Sequence, residues 1–291
     1  MTIAAPAPAR GRSRGRLVPY WLLAPGLVWL AVFLVVLMVS LGTTSLQTGN
    51  PFDGFTLTWE WSNYTNALST YRPQLLRSFL YAGLATVAAL IIAYPLAYAI
   101  ALKAGRWRNL LLVLVVAPFF TSFLVRTLAW QTLLSDSGTV VSVLRDLHLL
   151  DQDGRLLATP IAVVCGLTYN FLPFMVLPLY ASLEKLDPRV VEAANDLYAT
   201  PFTAFRRVTL PMSMPGVVGG TLLTFIPAAG DFVNAQFLGS PGQQMIGNVV
   251  ESRFLVALDY PTASALSFVL LLAILVLVMA YVRRAGTEEL V

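Results

Sequence analysis

Six long apolar runs, separated by more polar segments, dominate the pattern of hydrophobic positions along the chain. They cover residues 18–41, 75–102, 109–134, 158–183, 212–229 and 262–282. A helix needs about 20 apolar residues to cross the hydrocarbon core of a bilayer, and each run is of that order. The pattern therefore predicts an all-α, polytopic membrane protein with six transmembrane helices.

The fifth run is the least regular of the six, because it contains Pro215, Gly216, Gly219, Gly220 and Pro227. Proline removes a backbone hydrogen bond and kinks a helix. Gly216 and Gly220 have the small-xxx-small spacing that allows two helix backbones to approach closely. We expect a kinked helix that packs through these two glycines.

The composition agrees with a membrane protein, since 57% of the residues are hydrophobic and only 12% are charged. Soluble domains carry about 25% charged residues. The net charge of +4 does not indicate a nucleic-acid partner, because the basic residues are spread over short, separate segments. Residues 1–17 are predicted to form a disordered basic tail.

The basic residues also predict the orientation. With the N-terminus in the cytoplasm, 13 of the 19 lysines and arginines fall in cytoplasmic segments, as the positive-inside rule requires. We expect a multi-pass protein of a bacterial plasma (inner) membrane, with both termini cytoplasmic and residues 283–291 as a C-terminal tail.

Cysteine and histidine are almost missing, with only Cys165 and His148 in the chain. A single cysteine cannot form an intrachain disulfide, and one cysteine with one histidine does not supply a multi-ligand zinc site or a histidine-dependent triad. We predict no metal site and no catalytic residue.

A polar stretch between the fourth and fifth runs, on the predicted cytoplasmic side, carries two helix start signals. Asp187-Pro188 and Thr200-Pro201 each supply an N-cap and a proline for the first turn. Three apolar residues then recur at helical spacing beside Arg206 and Arg207: Phe202, Phe205 and Val208. Such a helix fits either docking to a partner or lying on lipid headgroups.

The residues of this stretch resemble the EAA loop of permeases from binding-protein-dependent ABC importers. The resemblance rests on Glu192, Ala193, Ala194, Asp196, Leu197, Leu210 and Pro211. It implies that the loop, at about 184–211, couples the permease to a cytoplasmic ATPase by docking in a groove of that subunit.

Other segments are similar to the polyamine (spermidine/putrescine) branch of these permeases: 118–130, 169–175, 183–187, 225–232 and 245–248. The resemblance implies the type I ABC importer permease (MetI-like) fold over residues 18–282. Sister branches carry other small solutes, so a permease for a different solute is the alternative.

Tyr198 departs from the family pattern, which usually has glycine after Asp-Leu. Glycine there would suit a left-handed turn that ends the first helix. A bulky residue in that conformation costs about 1 kcal/mol or more. Either the turn is reshaped in this chain, or Tyr198 itself contacts the ATPase.

The chain has no phosphate-binding loop, since its two lysines, Lys103 and Lys185, follow leucine and glutamate rather than glycine. We predict that it is not an enzyme and binds no cofactor, with ATP and magnesium held by a partner ATPase. The resemblance implies an ATPase dimer, a second homologous permease and an extracytoplasmic substrate-binding protein as partners, in a lipid bilayer.

A pathway for polycations should offer carboxylates and aromatic faces. The candidates are Trp130, Tyr169, Phe225, Asp231 and Asp136. Arg126 is the only basic residue well within a predicted span. We expect it to be structural, neutralising an acid such as Asp231 or Asp136, and Trp130 four residues later shares its helix face.

Two other classes of membrane protein find less support in the sequence. An autonomous secondary transporter would need an ion-coupling acid within a span, and the carboxylates fall in loops or at span ends. An intramembrane enzyme would need a catalytic pair within the spans, whereas His148 lies in an outer loop.

Overall fold

The structure is a computed structural model that describes residues 18–285. The predicted basic tail 1–17, and the predicted C-terminal tail from residue 286 onward, lie outside the described residues.

The first half of the chain holds four long or paired apolar helical segments and one β-hairpin. The elements are α1 (Val18–Ser45), β1 (Gln47–Asn50), β2 (Gly54–Leu57), α2 (Ser62–Tyr98), a π turn (Ala99–Lys103), a 3₁₀ turn (Gly105–Trp107), α3 (Arg108–Val116), a 3₁₀ turn (Ala117–Phe120), α4 (Phe123–Leu134), α5 (Thr139–Asp146) and α6 (Pro160–Glu184).

The second half contains the polar loop, the fifth apolar segment, the outer segment and the last long helix. The elements are α7 (Pro188–Asp196), α8 (Pro201–Ala204), a π turn (Phe205–Thr209), α9 (Leu210–Met212), α10 (Met214–Ala229), α11 (Val233–Leu238), a 3₁₀ turn (Pro241–Gln243), α12 (Ile246–Glu251), a π turn (Ser252–Val256) and α13 (Tyr260–Ala285).

The six predicted spans correspond to four long helices and two bent helix pairs. Four helices are long and apolar enough to cross a membrane, and two bent pairs bring the number to six if each pair is one span. One pair, Gly105–Phe120 with Phe123–Asp146, is bent by 93°, and the other, Pro201–Met212 with Met214–Ala229, by 64°.

The third predicted span, over 109–134, is not a single helix in the structure. The backbone leaves helical geometry at Thr121 (φ −88°, ψ 155°) and Ser122 (φ −57°, ψ 136°). Pro118 precedes this break and lies in a 3₁₀ turn. Because proline cannot donate a backbone hydrogen bond, an apolar sequence with a proline does not guarantee an unbroken helix.

One boundary and one added element differ from the prediction. The fifth span's helix begins at Met214, after a break at Ser213, rather than at Met212. The short antiparallel hairpin β1–β2, in which Thr48 pairs with Thr56, adds two strands to a fold predicted as wholly helical.

The centre of the bundle is formed by α2, α6 and α10, which pack against one another. A row of fully buried alanines lines the inner face of α2: Ala82, Ala85, Ala89, Ala93 and Ala97. These small side chains recur every three or four residues, so they lie on one helix face and allow close packing.

Gly216 and Gly220 lie at the contact of α10 with α6. A β-carbon at Gly216 would lie 2.7 Å from the carbonyl oxygen of Pro178, and one at Gly220 would lie 2.8 Å from the sulfur of Met175. At Gly219, on the neighbouring face, the nearest atom would be 3.8 Å away. The small-residue spacing thus coincides with the face where the two backbones meet.

Candidate functional site: the coupling loop and a buried polar chain

The predicted coupling loop folds as two short helices, and both start signals are confirmed. The carboxylate of Asp187 accepts a hydrogen bond from the Arg189 backbone N–H at 2.9 Å, at the start of α7. The hydroxyl of Thr200 accepts one from the Thr203 N–H at 3.3 Å, which caps α8. Each cap satisfies a donor that the first helical turn leaves free.

Tyr198 occupies the left-handed turn between the two helices, with φ of +61°. The Ala199 N–H donates to the carbonyl oxygen of Ala194 at 3.1 Å, the bond expected where a left-handed residue ends a helix in a Schellman motif. The turn therefore keeps the geometry that suits glycine, and a reshaped turn, the first of the two alternatives, is wrong. The phenol ring is 97% exposed.

Most of the predicted coupling residues lie on the surface of the chain. Leu197 and Phe202 are exposed by 81% and 72%, close to Tyr198. Residues of the same loop with exposed side chains are Glu192, Ala193, Asp196 and Pro211, while Ala194 and Leu210 are half-buried. Large apolar side chains that a chain leaves uncovered in this way are typical of a surface that meets a partner.

Phe205 anchors the loop to α2. Its ring meets the ring of Tyr94 edge-on at 5.4 Å and that of Tyr98 at 6.5 Å between centroids. The Tyr94 hydroxyl lies 2.7 Å from the Ser213 hydroxyl at the break before α10. These residues join the loop to two spans, and sequence reasoning missed Tyr94, Tyr98 and Ser213 because the partners are over 100 residues apart.

A second anchor holds the entrance of the loop. The Arg108 guanidinium, at the start of α3, forms an ion pair with Glu184 and a hydrogen bond to the Tyr180 hydroxyl, both at the end of α6. It also lies over the Tyr180 ring, 5.0 Å from the centroid. The loop is thus tied on one side to α3 and on the other to α2.

The predicted pathway residues do not form one cluster. Trp130 and Tyr169 are in edge-on contact, with centroids 5.4 Å apart. Phe225 is buried and stacks on Phe79 at 6.2 Å. Asp136 is exposed and pairs with Arg155 at 3.3 Å. The structure therefore brings together one aromatic pair, whose Trp130 packs against the same hydrophobic cluster that contains Phe225, and it leaves Asp136 at the surface.

Asp231 ends a buried polar chain that crosses the bundle. One of its carboxylate oxygens accepts hydrogen bonds from the backbone N–H and side-chain amide of Asn234, at 2.8 and 3.1 Å. The Asn170 amide donates to the Asn234 side-chain oxygen at 3.0 Å and to the Thr127 hydroxyl at 3.3 Å. The chain links α4, α6 and α11.

Burial raises the pKa of the Asp231 carboxyl to about 6, and the two hydrogen bonds from Asn234 limit the rise. Buried polar groups need such partners, since an unpaired one costs about 1–3 kcal/mol. Sequence reasoning missed Thr127, Asn170 and Asn234. The available signal was asparagine inside an apolar run, as at Asn170.

The expected ion pair between Arg126 and Asp231 or Asp136 is not formed, and that expectation is wrong. Among residues 18–285 no carboxylate lies within ion-pair distance of Arg126. Its guanidinium lies instead over the rings of Phe119 and Phe123, at 5.4 and 5.6 Å. The long arginine side chain points back along α4 toward its first turn, as helix geometry favours.

No group of three histidine, cysteine, aspartate or glutamate residues in the described part of the chain is arranged to hold a metal ion.

Comparison with known proteins agrees with this architecture. Residues 85–285 match the family described as binding-protein-dependent transport system inner membrane component. The spermidine/putrescine transport system permease protein PotB of Haemophilus influenzae is 40% identical over 258 residues, which cover 88% of this chain and 90% of that protein. The permease protein PotC of the Escherichia coli spermidine/putrescine system is 37% identical over 109 residues, 38% of this chain and 41% of that protein.

A solved structure shows the same fold. It is a bacterial alginate ABC transporter in complex with an alginate pentasaccharide-bound periplasmic protein, at 18% identity and a TM-score of 0.69, covering 94% of this chain and 95% of that one. The family match covers more than half of the chain, and the fold agrees with it. The chain belongs to the family of inner membrane components of binding-protein-dependent transport systems.

Proposed function

We propose that this chain is a permease subunit of an ABC importer for polyamines such as spermidine and putrescine. The observation that carries the proposal is the 40% identity to a spermidine/putrescine permease over 88% of the chain. The exposed coupling loop supports it, because a loop built to dock with a motor is useful only to a transporter driven by a separate ATPase.

The complete transporter contains an ATPase dimer, a second permease and a substrate-binding protein. Two different permease proteins, PotB and PotC, carry the name of the spermidine/putrescine system among the relatives. ATP and magnesium are bound by the ATPase subunits, and this chain contributes no catalytic residue. Both termini lie in the cytoplasm, on the side of the ATPase.

Coupling begins where the ATPase meets the loop. When ATP draws the two ATPases together, the exposed residues from Glu192 to Phe202 move with them. Phe205 passes the motion to α2, and the Arg108–Glu184 pair passes it to α3. The third span is interrupted between α3 and α4, and the fifth span is interrupted just before α10. The third and fifth spans can therefore tilt without unwinding a continuous helix.

The pathway offers polyamines weak, distributed contacts. Trp130 and Tyr169 present aromatic faces, which attract ammonium groups by about 0.5–2 kcal/mol each. Asp231, just beyond the end of α10 at Ala229, supplies a carboxylate whose orientation Asn234 fixes. Phe225 and Asp136 remain candidates at other points along the route.

The test is uptake of radiolabelled spermidine by cells that lack this chain, with and without the gene restored. Restoration of uptake, with competition by putrescine, is the expected result. A Glu192→Lys variant that reaches the membrane at normal level should not restore it. If the gene restored growth on, or uptake of, a different solute and no uptake of spermidine, the assignment as an importer permease would stand, but the assignment of a polyamine as its substrate would be wrong.

A further inference from the structure

Arg126 carries a buried charge that contacts two aromatic rings, Phe119 and Phe123, but has no carboxylate partner among residues 18–285. The residue is only 7% exposed, and its Nε and Nη1 atoms have no hydrogen-bond partner among residues 18–285. An unpaired buried charge is strongly unfavourable, so buried cations in proteins are normally paired with an anion.

The surroundings of Arg126 are built to receive an anion. It lies in the first turn of α4, a 12-residue helix whose N-cap, Ser122, makes no side-chain capping bond. Helix N-termini favour negative charge because their first N–H groups are free. Arg126 also lines a cavity of about 280 Å³, together with Tyr169 and apolar residues of α2, α3 and α6.

The depth of this site argues against a lipid headgroup. Tyr169, which lines the same cavity, is about 14 Å from one end of α6 and about 22 Å from the other, at 1.5 Å per residue. The hydrocarbon core is about 30 Å thick, so the cavity lies well inside it. Phosphate groups lie at the surface of that core.

The break beside Arg126 must face protein or a water-filled pathway. Thr121 and Ser122 are exposed in this chain, and Phe120 is 88% exposed. Irregular backbone at membrane depth is found only where protein or pathway water covers it, because lipid cannot satisfy its polar groups. The break, which ends four residues before Arg126 in the chain, is therefore covered by another subunit or by the pathway.

We propose that the second permease subunit supplies a carboxylate that binds Arg126 at the N-terminus of α4. This pairing rests on the second permease of the proposed function. It also explains how a polycation can pass a buried arginine, since the carboxylate cancels the charge that would otherwise repel the substrate. The break then serves as the place where the two permeases lock together.

The experiment uses the assembled transporter, purified through a tag on this chain, and measures the ratio of second permease to this chain. Arg126→Gln should lower the ratio by at least about tenfold, because truncating one half of a buried charge pair at an interface has large effects. Arg126→Lys should retain part of it. The matched control is Arg155→Gln, whose side chain is 74% exposed, and it should leave the ratio unchanged.

Charge reversal identifies the partner and guards against simple misfolding. Arg126→Glu is combined in turn with a reversal to arginine of each aspartate or glutamate in the spans of the second permease. One combination should restore the ratio that Arg126→Glu alone loses. An unchanged ratio for Arg126→Gln, or no restoring combination, overturns the pairing.

Other sources of the anion give different results. A lipid phosphate predicts loss of co-purifying anionic phospholipid from Arg126→Gln at an unchanged subunit ratio, and an inorganic anion predicts an unchanged ratio with no loss of phospholipid. Either result overturns the inference. A wild-type complex that holds a second permease but takes up no spermidine would instead refute only the proposed substrate.

Discussion

Tyr198 separates the stability of the chain from its contact with the ATPase. Its backbone has φ of +61°, which costs an L-residue about 1–2 kcal/mol. Glycine would remove this strain, at a cost of about 0.5–1 kcal/mol in backbone entropy. Tyr198→Gly should therefore stabilise the isolated chain by about 0.5–1 kcal/mol.

The affinity of the permease for the ATPase should fall in Tyr198→Gly, although the stability of the chain rises. The ring is 97% exposed, so its removal costs no packing within the chain, and Tyr198→Ala should leave the thermal unfolding midpoint in detergent unchanged. If the ring fills the ATPase groove, both variants lose an aromatic contact of about 1–2 kcal/mol or more. That corresponds to roughly five- to thirtyfold weaker binding of soluble ATPase to the permease pair in nanodiscs.

The matched control is Phe52→Ala, which removes an equally exposed ring, 97% accessible, from the β-hairpin region. It should change neither quantity. Wild-type affinity in Tyr198→Ala would refute the docking role of the ring. A lower unfolding midpoint in Tyr198→Gly would refute the strain.

Three other changes test the packing and the polar chain. Gly216→Ala places a β-carbon 2.7 Å from a carbonyl oxygen of α6 and should cost about 1–3 kcal/mol, seen as lower yield of folded protein, whereas Gly219→Ala has 3.8 Å of room and should be tolerated. Asn170→Leu removes the donor to two buried acceptors and should lower the unfolding free energy by about 1–3 kcal/mol. The control Thr224→Val deletes a hydroxyl that has no hydrogen-bond partner among residues 18–285 and should not lower it; equal losses would contradict the reasoning. Because burial raises the pKa of Asp231 to about 6, its negative charge is present above that pH and lost below it. Spermidine uptake should therefore fall as the pH is lowered from 7.5 to 5. In Asp231→Asn, uptake should be low at both pH values and should not show this fall.

The spans and the coupling loop were accessible from sequence because their signals are local. Hydropathy over about 20 residues identifies a segment that prefers lipid, and Asp187-Pro188 and Thr200-Pro201 identify helix starts within a few residues. Hydropathy averaged over such a window does not report whether the helix backbone is continuous. The break at Thr121–Ser122 lies inside an apolar run, so it could not be predicted from hydropathy.

The buried polar chain could not be predicted for a different reason. Asn170 and Asn234 are 64 residues apart, and their pairing depends on how α6 and α11 meet. Arg126 shows the same limit more sharply, since the two acids expected to neutralise it have other partners. Asp231 is held by Asn234, and Asp136 pairs with Arg155.

The most direct test of the central claim is transport by the purified complex in proteoliposomes. This chain, a second permease and the ATPase dimer would be reconstituted with ATP inside and spermidine-loaded binding protein outside. Our account predicts ATP-dependent accumulation of spermidine that is lost in Glu192→Lys. ATP hydrolysis without spermidine accumulation, or accumulation that Glu192→Lys leaves intact, would contradict it.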